Sequence, residues 1–277
     1  MSRASYILMR LSNSLRVHGI WGTLFRVCRY PYLQLRSAGL RRNIYSPKDA
    51  AGVFTKIYES NWWGSNESVS GTGSTLRYTA NLRAQLTLLF EKFEVRTVLD
   101  APCGDFYWME HVVQSNEIIY IGGDIVPMLI ERNKEKYADR RLSFLVMNVI
   151  ADPLPDADLW ICRDCLIHFS FVDIFKTLTN FAQSNIRYLL TTTHMNKIGF
   201  RNMDILTGEA RLIDLFSEPF LLPPDYLYAI DDWLEPDVPR KMVLFERSQI
   251  VSALPKMRAA LGGQVACAVT NDETVTQ

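Results

Sequence analysis

The sequence has 277 residues, 48 % of them apolar and 22 % charged, with five scattered cysteines (Cys28, Cys103, Cys162, Cys165 and Cys267). That is enough chain for one sizeable α/β domain plus an extension. The odd, dispersed cysteines exclude a disulfide scaffold and fit a reducing compartment, and no apolar run reaches the length of about 18 residues that a membrane-spanning helix needs. The formal charge is zero, yet residues 1–48 hold nine basic side chains and no acid, which leaves 21 basic against 30 acidic elsewhere, or −9. The pattern is a basic arm on an acidic globule.

In chain order, residues 1–50 read as a basic helical extension. Ala4, Ile7, Leu8, Leu11 and Leu15 fall at helical spacing, with Arg3, Arg10 and Arg16 largely off that stripe. Such a helix can dock on an anionic membrane surface or cap the domain. Arg10 and Arg16 interrupt the apolar run, so it is not a good secretory signal, although the Arg- and Ser-rich composition is shared with organellar transit peptides. The expectation is a cytoplasmic protein whose residues 1–48 can reach the inner face of the membrane. Residues 51–250 read as the core domain. Residues 60–75 are rich in Ser, Gly and Asn and read as a loop, in which Ser68–Ser74 is either a lid or a plain linker. Trp62 and Trp63 either stack on a sugar face or simply pack.

From residue 76 the pattern is regular. A helix over 76–93, with Leu82, Leu86, Leu89, Phe90 and Phe93 on one side, precedes a strand Val95–Asp100. Then come a helix Trp108–Gln114, a strand Ile118–Asp124, a helix Met128–Tyr137, and strands Leu142–Asn148 and Asp158–Cys162. A helix Val172–Ala182 and a strand Tyr188–Thr193 complete the run. Strands alternating with helices at this spacing imply a parallel sheet covered on both faces. Past residue 200, Pro219, Pro223 and Pro224 break the pattern, Lys241–Glu246 reads as a late strand, and residues 251–277 read as a C-terminal helix and flexible tail.

In an open parallel sheet, ligands bind outside the carboxyl ends of the strands, and the polar residues here cluster at those ends. Asp100-Ala101-Pro102-Cys103-Gly104-Asp105-Phe106 follows the first strand, Asp124 and Ile125 the second, Asn148 and Val149 the third, Arg163 and Asp164 the fourth, and His194 the fifth. Asp164 and His168 lie four apart and share a face if a helical turn follows. Histidine titrates near neutrality, so this pair is the candidate general base; His194 is a weaker one. Cys162-Arg163-Asp164-Cys165 has the form of a redox or zinc motif, but without a second pair it reads as two small residues at a strand end. No third ligand joins Asp164 and His168, so no metal is expected.

Together these residues resemble the class I S-adenosylmethionine-dependent methyltransferases, with Asp100–Phe106 falling on that family's glycine loop and Asp124 lying 24 residues beyond Asp100. VLDAPCGDFYWM and CRDCLIHFSF look closer still to bacterial methyltransferases associated with surface polysaccharides. The resemblance implies a Rossmann-like three-layer sandwich with a mostly parallel seven-stranded sheet and an antiparallel last strand. It implies S-adenosyl-L-methionine as cofactor, held by Asp100, Pro102, Gly104, Asp105, Asp124, Ile125, Asn148, Val149 and Arg163. Asp124 would take both ribose hydroxyls, Asp100 and Asp105 would face the methionyl part, and Asn148 and Val149 the adenine. The acceptor would be a small molecule or a glycan-linked hydroxyl.

The loop departs from the family pattern, since Pro102 and Phe106 stand where two glycines are expected. A pyrophosphate needs close backbone approach, so this loss counts more against a nicotinamide-dependent oxidoreductase than against a methyltransferase. A non-catalytic scaffold working through its basic arm is a further alternative. The acidic core disfavours a nucleic-acid partner.

Overall fold

In this computed structural model, residues 43–47, 49–195, 200–235 and 237–262 are described. The chain divides into two units, residues 1–48 and 49–277. The expected basic helix and the polar tail from 263 lie outside the described residues.

Seven strands make one sheet: β1 (Thr97–Asp100), β2 (Ile119–Asp124), β3 (Leu142–Val146), β4 (Leu159–Cys162), β5 (Tyr188–His194), β6 (Tyr228–Asp231) and β7 (Arg240–Glu246). Their spatial order is β3-β2-β1-β4-β5-β7-β6. β1 to β5 run parallel, and β7 pairs antiparallel with both β5 and β6. The expected fold class is therefore the observed one. The strand order reverses at β1 and β4, which opens a crevice at their carboxyl ends.

All four residues of β4 and all seven of β5 are buried, as a strand covered on both faces requires. Alternation divides them between two cores. Trp160 and Cys162 join Leu99, Leu189, Val243 and Phe245 on one face, under α5 (Phe171–Gln183) and α6 (Arg247–Leu261). Leu159 and Ile161 join Val98, Leu190 and Leu244 on the other, under α2 (Ala80–Lys92), α3 (Met109–Gln114) and α4 (Pro127–Tyr137). Leu82, Leu86, Leu89 and Phe90 are the buried stripe of α2, as their spacing predicts. Local signals start the helices. Ser170 caps α5 by accepting from the Asp173 N–H. Pro127 opens α4. Glu246 and Gln249 form a reciprocal capping box at α6.

Two elements go beyond those read individually from the sequence. Helix α1 (Ala50–Glu59) is capped by Asp49 and buries Val53 and Ile57. β6 is a short edge strand with one buried residue, Ile230.

Candidate active site

The loop after β1 is fastened by its backbone. The Ala101 N–H donates to the Ile161 carbonyl at 3.1 Å and the Cys103 N–H to Gly123 at 2.8 Å, and the Trp160 indole N–H donates to the Ala101 carbonyl at 2.8 Å. The Ala101–Pro102 bond is cis. Gly104 and Phe106 both sit in the left-handed region, at φ 55° and 59°. At Phe106, one of the two positions where the sequence lacks an expected glycine, a side chain in this left-handed region costs roughly 1–2 kcal/mol. Burial offsets this: the ring is 1 % exposed and packs against Tyr120, Tyr137 and Phe144. Gly104 is required for a reason the sequence does not show. A Cβ there would lie 2.1 Å from Ser70 Oγ, so the glycine admits the Ser68–Ser74 loop.

Asp100 and Asp124 are both buried and both line the crevice. Burial pushes the Asp100 carboxyl up to about 7, against the Tyr120 hydroxyl that donates to it at 2.8 Å and the charge of Arg163. Burial likewise raises Asp124 to about 6, although the Val126 and Gly104 N–H groups donate to its two oxygens at 3.1 Å. Neither makes an ion pair among the described residues. Asp105 corrects the sequence-based expectation. Its carboxylate accepts from the Ser68 hydroxyl at 2.9 Å and the Val69 N–H at 3.0 Å, so it is turned to the loop and away from the crevice. Asn148 Oδ1 accepts from the Ile150 N–H at 3.0 Å, and Asn148 and Val149 line the crevice together with Ile125, Leu129 and Met147.

At the end of β4 lies a buried charge cluster, part of which the sequence hides. Arg163 pairs in bidentate fashion with Asp232 at 2.9 and 3.1 Å and donates to the Gly73 carbonyl at 2.8 Å. Arg240 pairs with Asp164 at 2.9 Å and Asp232 at 3.3 Å. Arg163 also lies 3.6 Å from Asp164. Burial works against the Asp164 charge, but the two guanidiniums outweigh it and hold the carboxyl below its ordinary range. Asp164 adopts φ 50°, which turns its N–H to Thr192 Oγ1 at 2.8 Å. A carboxylate so paired is a weak base.

His168 has a different setting. It lies in a helical turn, Leu166–His168, and lines the crevice. Its Nδ1 is 2.8 Å from the Glu209 carbonyl. A carbonyl can only accept, so Nδ1 carries the proton and Nε2 the lone pair. Burial keeps the ring's pKa below 6.5, despite the Glu209 contact and Asp164. Trp63 lies against the imidazole at 5.5 Å between centroids, and Phe54 meets it edge-on at 6.5 Å. Trp62 does not line the crevice. His194 is buried, and its Nδ1 accepts from the Ile213 N–H. Cys162 and Cys165 are buried thiols in the core, and no group of residues able to hold a metal occurs among the described residues.

These groups surround one cavity of about 350 Å³. Its lining includes Asp100, Asp124 and the Asn148–Val149 turn, the aromatic group Phe54, Tyr58 and Trp63 with His168, and Val69–Ser74.

No family model matches the chain, and no curated protein matches its sequence. Solved structures do resemble it. The magnesium protoporphyrin IX methyltransferase ChlM of Synechocystis superposes at TM-score 0.51 with bound SAH (12 % identity, 72 % of this chain, 100 % of that one) and at 0.52 with bound SAM. The mitomycin 7-O-methyltransferase MmcR gives 0.51 at 14 % identity, over 86 % of this chain and 67 % of that one. The fold is the Rossmann-like methyltransferase fold. A match to human N-acetylserotonin methyltransferase in complex with SAM, at TM-score 0.47 and 14 % identity, spans 64 % of that chain. On the methyltransferase fold the crevice occupies the strand-order switch, where ligands of open α/β sheets bind.

Proposed function

We propose that the protein is an S-adenosyl-L-methionine-dependent methyltransferase acting on a hydroxyl of a small-molecule acceptor. One observation carries the reading: a single cavity is lined both by two buried carboxylates that make no ion pair among the described residues and by a neutral histidine whose Nδ1 is held as the donor. Buried acids without counter-charge are costly, and a cationic ligand offering an ammonium and sugar hydroxyls relieves that cost.

The residues present fit this cofactor. When bound, S-adenosyl-L-methionine supplies an electrophilic methyl on a sulfonium. Asp124 would take the two ribose hydroxyls on the lone pairs left by the Gly104, Val126 and Ile125 N–H groups. Asp100 would meet the positive charge of the methionyl part, and Ile125, Leu129 and Met147 would wall the adenine with Asn148 and Val149 beside it. His168 takes the hydroxyl proton on Nε2, and the Glu209 carbonyl stabilises the imidazolium through Nδ1–H. Arg163 and Asp164 fix the corner at the end of β4 rather than exchange protons, so the base is assigned to His168 alone. Orientation of acceptor and donor in one cavity supplies most of the acceleration.

For the acceptor, a carbohydrate or glycan-linked hydroxyl is our finer reading. It is supported by the sequence resemblance and by the Trp63 indole beside His168, a surface on which a sugar face can stack. Calorimetric titration with S-adenosylhomocysteine and with NAD tests the core of the proposal. S-adenosylhomocysteine is expected to bind; binding of NAD alone would overturn it. Mass spectrometry of glycans from cells with and without the protein tests the acceptor, a missing methyl on a glycan being the expected result and unchanged glycans the refuting one.

A further inference from the structure

We infer that Ser68–Ser74 is a lid that must open for the cofactor to exchange, and that Asp105 is the positioning residue that latches it. The inference rests on the methyltransferase reading for the identity of what lies beneath the lid, but the latch stands on its own geometry.

The loop meets its surroundings at three points, two on the loop after β1 and one at the end of β4. At its start, the two oxygens of Asp105 separately receive the Ser68 hydroxyl and the Val69 N–H, at 2.9 and 3.0 Å. In its middle, Ser70 lies so close to Gly104 that no side chain could stand there. Near its end, the Gly73 carbonyl accepts from Arg163 at 2.8 Å. Beyond the loop, the Glu67 carboxylate accepts the Leu76 N–H at 2.7 Å and draws the two flanks together. Gly71, at φ 95°, rests on Trp63: a Cβ there would be 3.1 Å from the indole's Cβ. The lid therefore touches the cofactor loop, the β4 corner and the acceptor wall at once.

These fastenings differ in cost of release. Arg163 is buried and already satisfied by Asp232, so it can give up one carbonyl and stay paired. Asp105 and Val69 are half-buried, so water can replace the bond between them when it breaks, whereas Ser68 is 2 % exposed and its hydroxyl meets water only once the loop has lifted. A latch of two hydrogen bonds to a carboxylate at the rim is strong enough to hold the lid shut and weak enough to release. It also explains why an acid stands at 105 without touching the cavity.

The test uses the full chain and two variants, Asp105→Ala and Ser68→Ala; the second keeps the acid and removes the Ser68 hydroxyl bond to it, together with the Ser70 N–H bond that this hydroxyl accepts. Two readouts are needed. Amide hydrogen exchange on the ligand-free protein should rise across 68–74 in both variants, with the strands unchanged. Stopped-flow release of S-adenosylhomocysteine should quicken by about tenfold or more in Asp105→Ala, the worth of one charge-assisted hydrogen bond. KM for S-adenosylmethionine should rise while kcat at saturation is kept. Loop exchange and release rates equal to wild type would overturn the latch. Failure of wild type to bind S-adenosylhomocysteine would instead overturn the function, and loop exchange would still decide the latch.

Discussion

Asp100→Asn should stabilise the empty protein and cripple its ligand binding. The folded carboxyl sits at about 7 against an ordinary 3.8, with burial the principal cause. Each pH step is worth 1.36 kcal/mol, so keeping this group ionised in the fold costs about 4 kcal/mol. The sign follows from the raised value: the contribution to stability is fully present below about pH 4 and is lost as pH rises through 7. The amide cannot ionise, and its oxygen can still accept from Tyr120. The gain of the variant over wild type should therefore be larger at pH 8 than at pH 5 by about 2.7 kcal/mol, two pH steps below the folded value. Thermal and urea denaturation at the two pH values measure it directly. Calorimetry supplies the other half. Wild type should bind S-adenosylhomocysteine more weakly by about tenfold for each pH step below 7, and the variant should bind weakly at every pH. An Asn variant equally displaced in stability at pH 5 and 8, or one that binds like wild type at pH 8, would refute the reasoning.

Three further outcomes are expected. His168→Gln should lower kcat by about a hundredfold or more with S-adenosylhomocysteine affinity unchanged, and the wild-type kcat at saturating cofactor should hold through the ordinary histidine range and fall only at more acid pH, because burial lowers the pKa of this imidazole. Asp232→Ala should cost about 3–5 kcal/mol in urea denaturation, because it removes the bidentate partner of the buried Arg163 and leaves Arg240 with Asp164 alone. Phe106→Gly should destabilise by about 2–4 kcal/mol, since lost packing exceeds the relief of a left-handed side chain; a more stable variant would show the ring is not what holds the turn.

The parts of this molecule legible in the sequence are those set by short-range pattern. Alternation of buried strands and amphipathic helices gave the order β1 to β5, because Trp160 and Ile161 must face opposite layers whatever surrounds them. The polar residues at strand ends were legible for the same reason: topology places them in one crevice. The charge cluster was not, because Arg163 meets Asp232 across 69 residues and no local spacing announces it. Asp105 was placed on the wrong side of its loop for a similar reason, since its partners Ser68 and Val69 are distant in sequence. Other omissions had a signal. Asp49 before Val53 and Ile57 marks α1, and Glu246 with Gln249 marks the start of α6 ahead of residue 251. β6 had little, being four residues with one buried apolar side chain.

The link between Asp232 and Arg240 has a wider consequence. Asp232 follows β6 and Arg240 opens β7, so the two tie the mouth of the outermost hairpin over the top of β5 to Arg163. Peeling of such a hairpin is ordinarily a cheap, silent fluctuation at a sheet's rim. Here it would pull a carboxylate and a guanidinium out of the reaction corner, so turnover becomes a gauge of the edge, and gentle heating should extinguish activity before the central strands come apart.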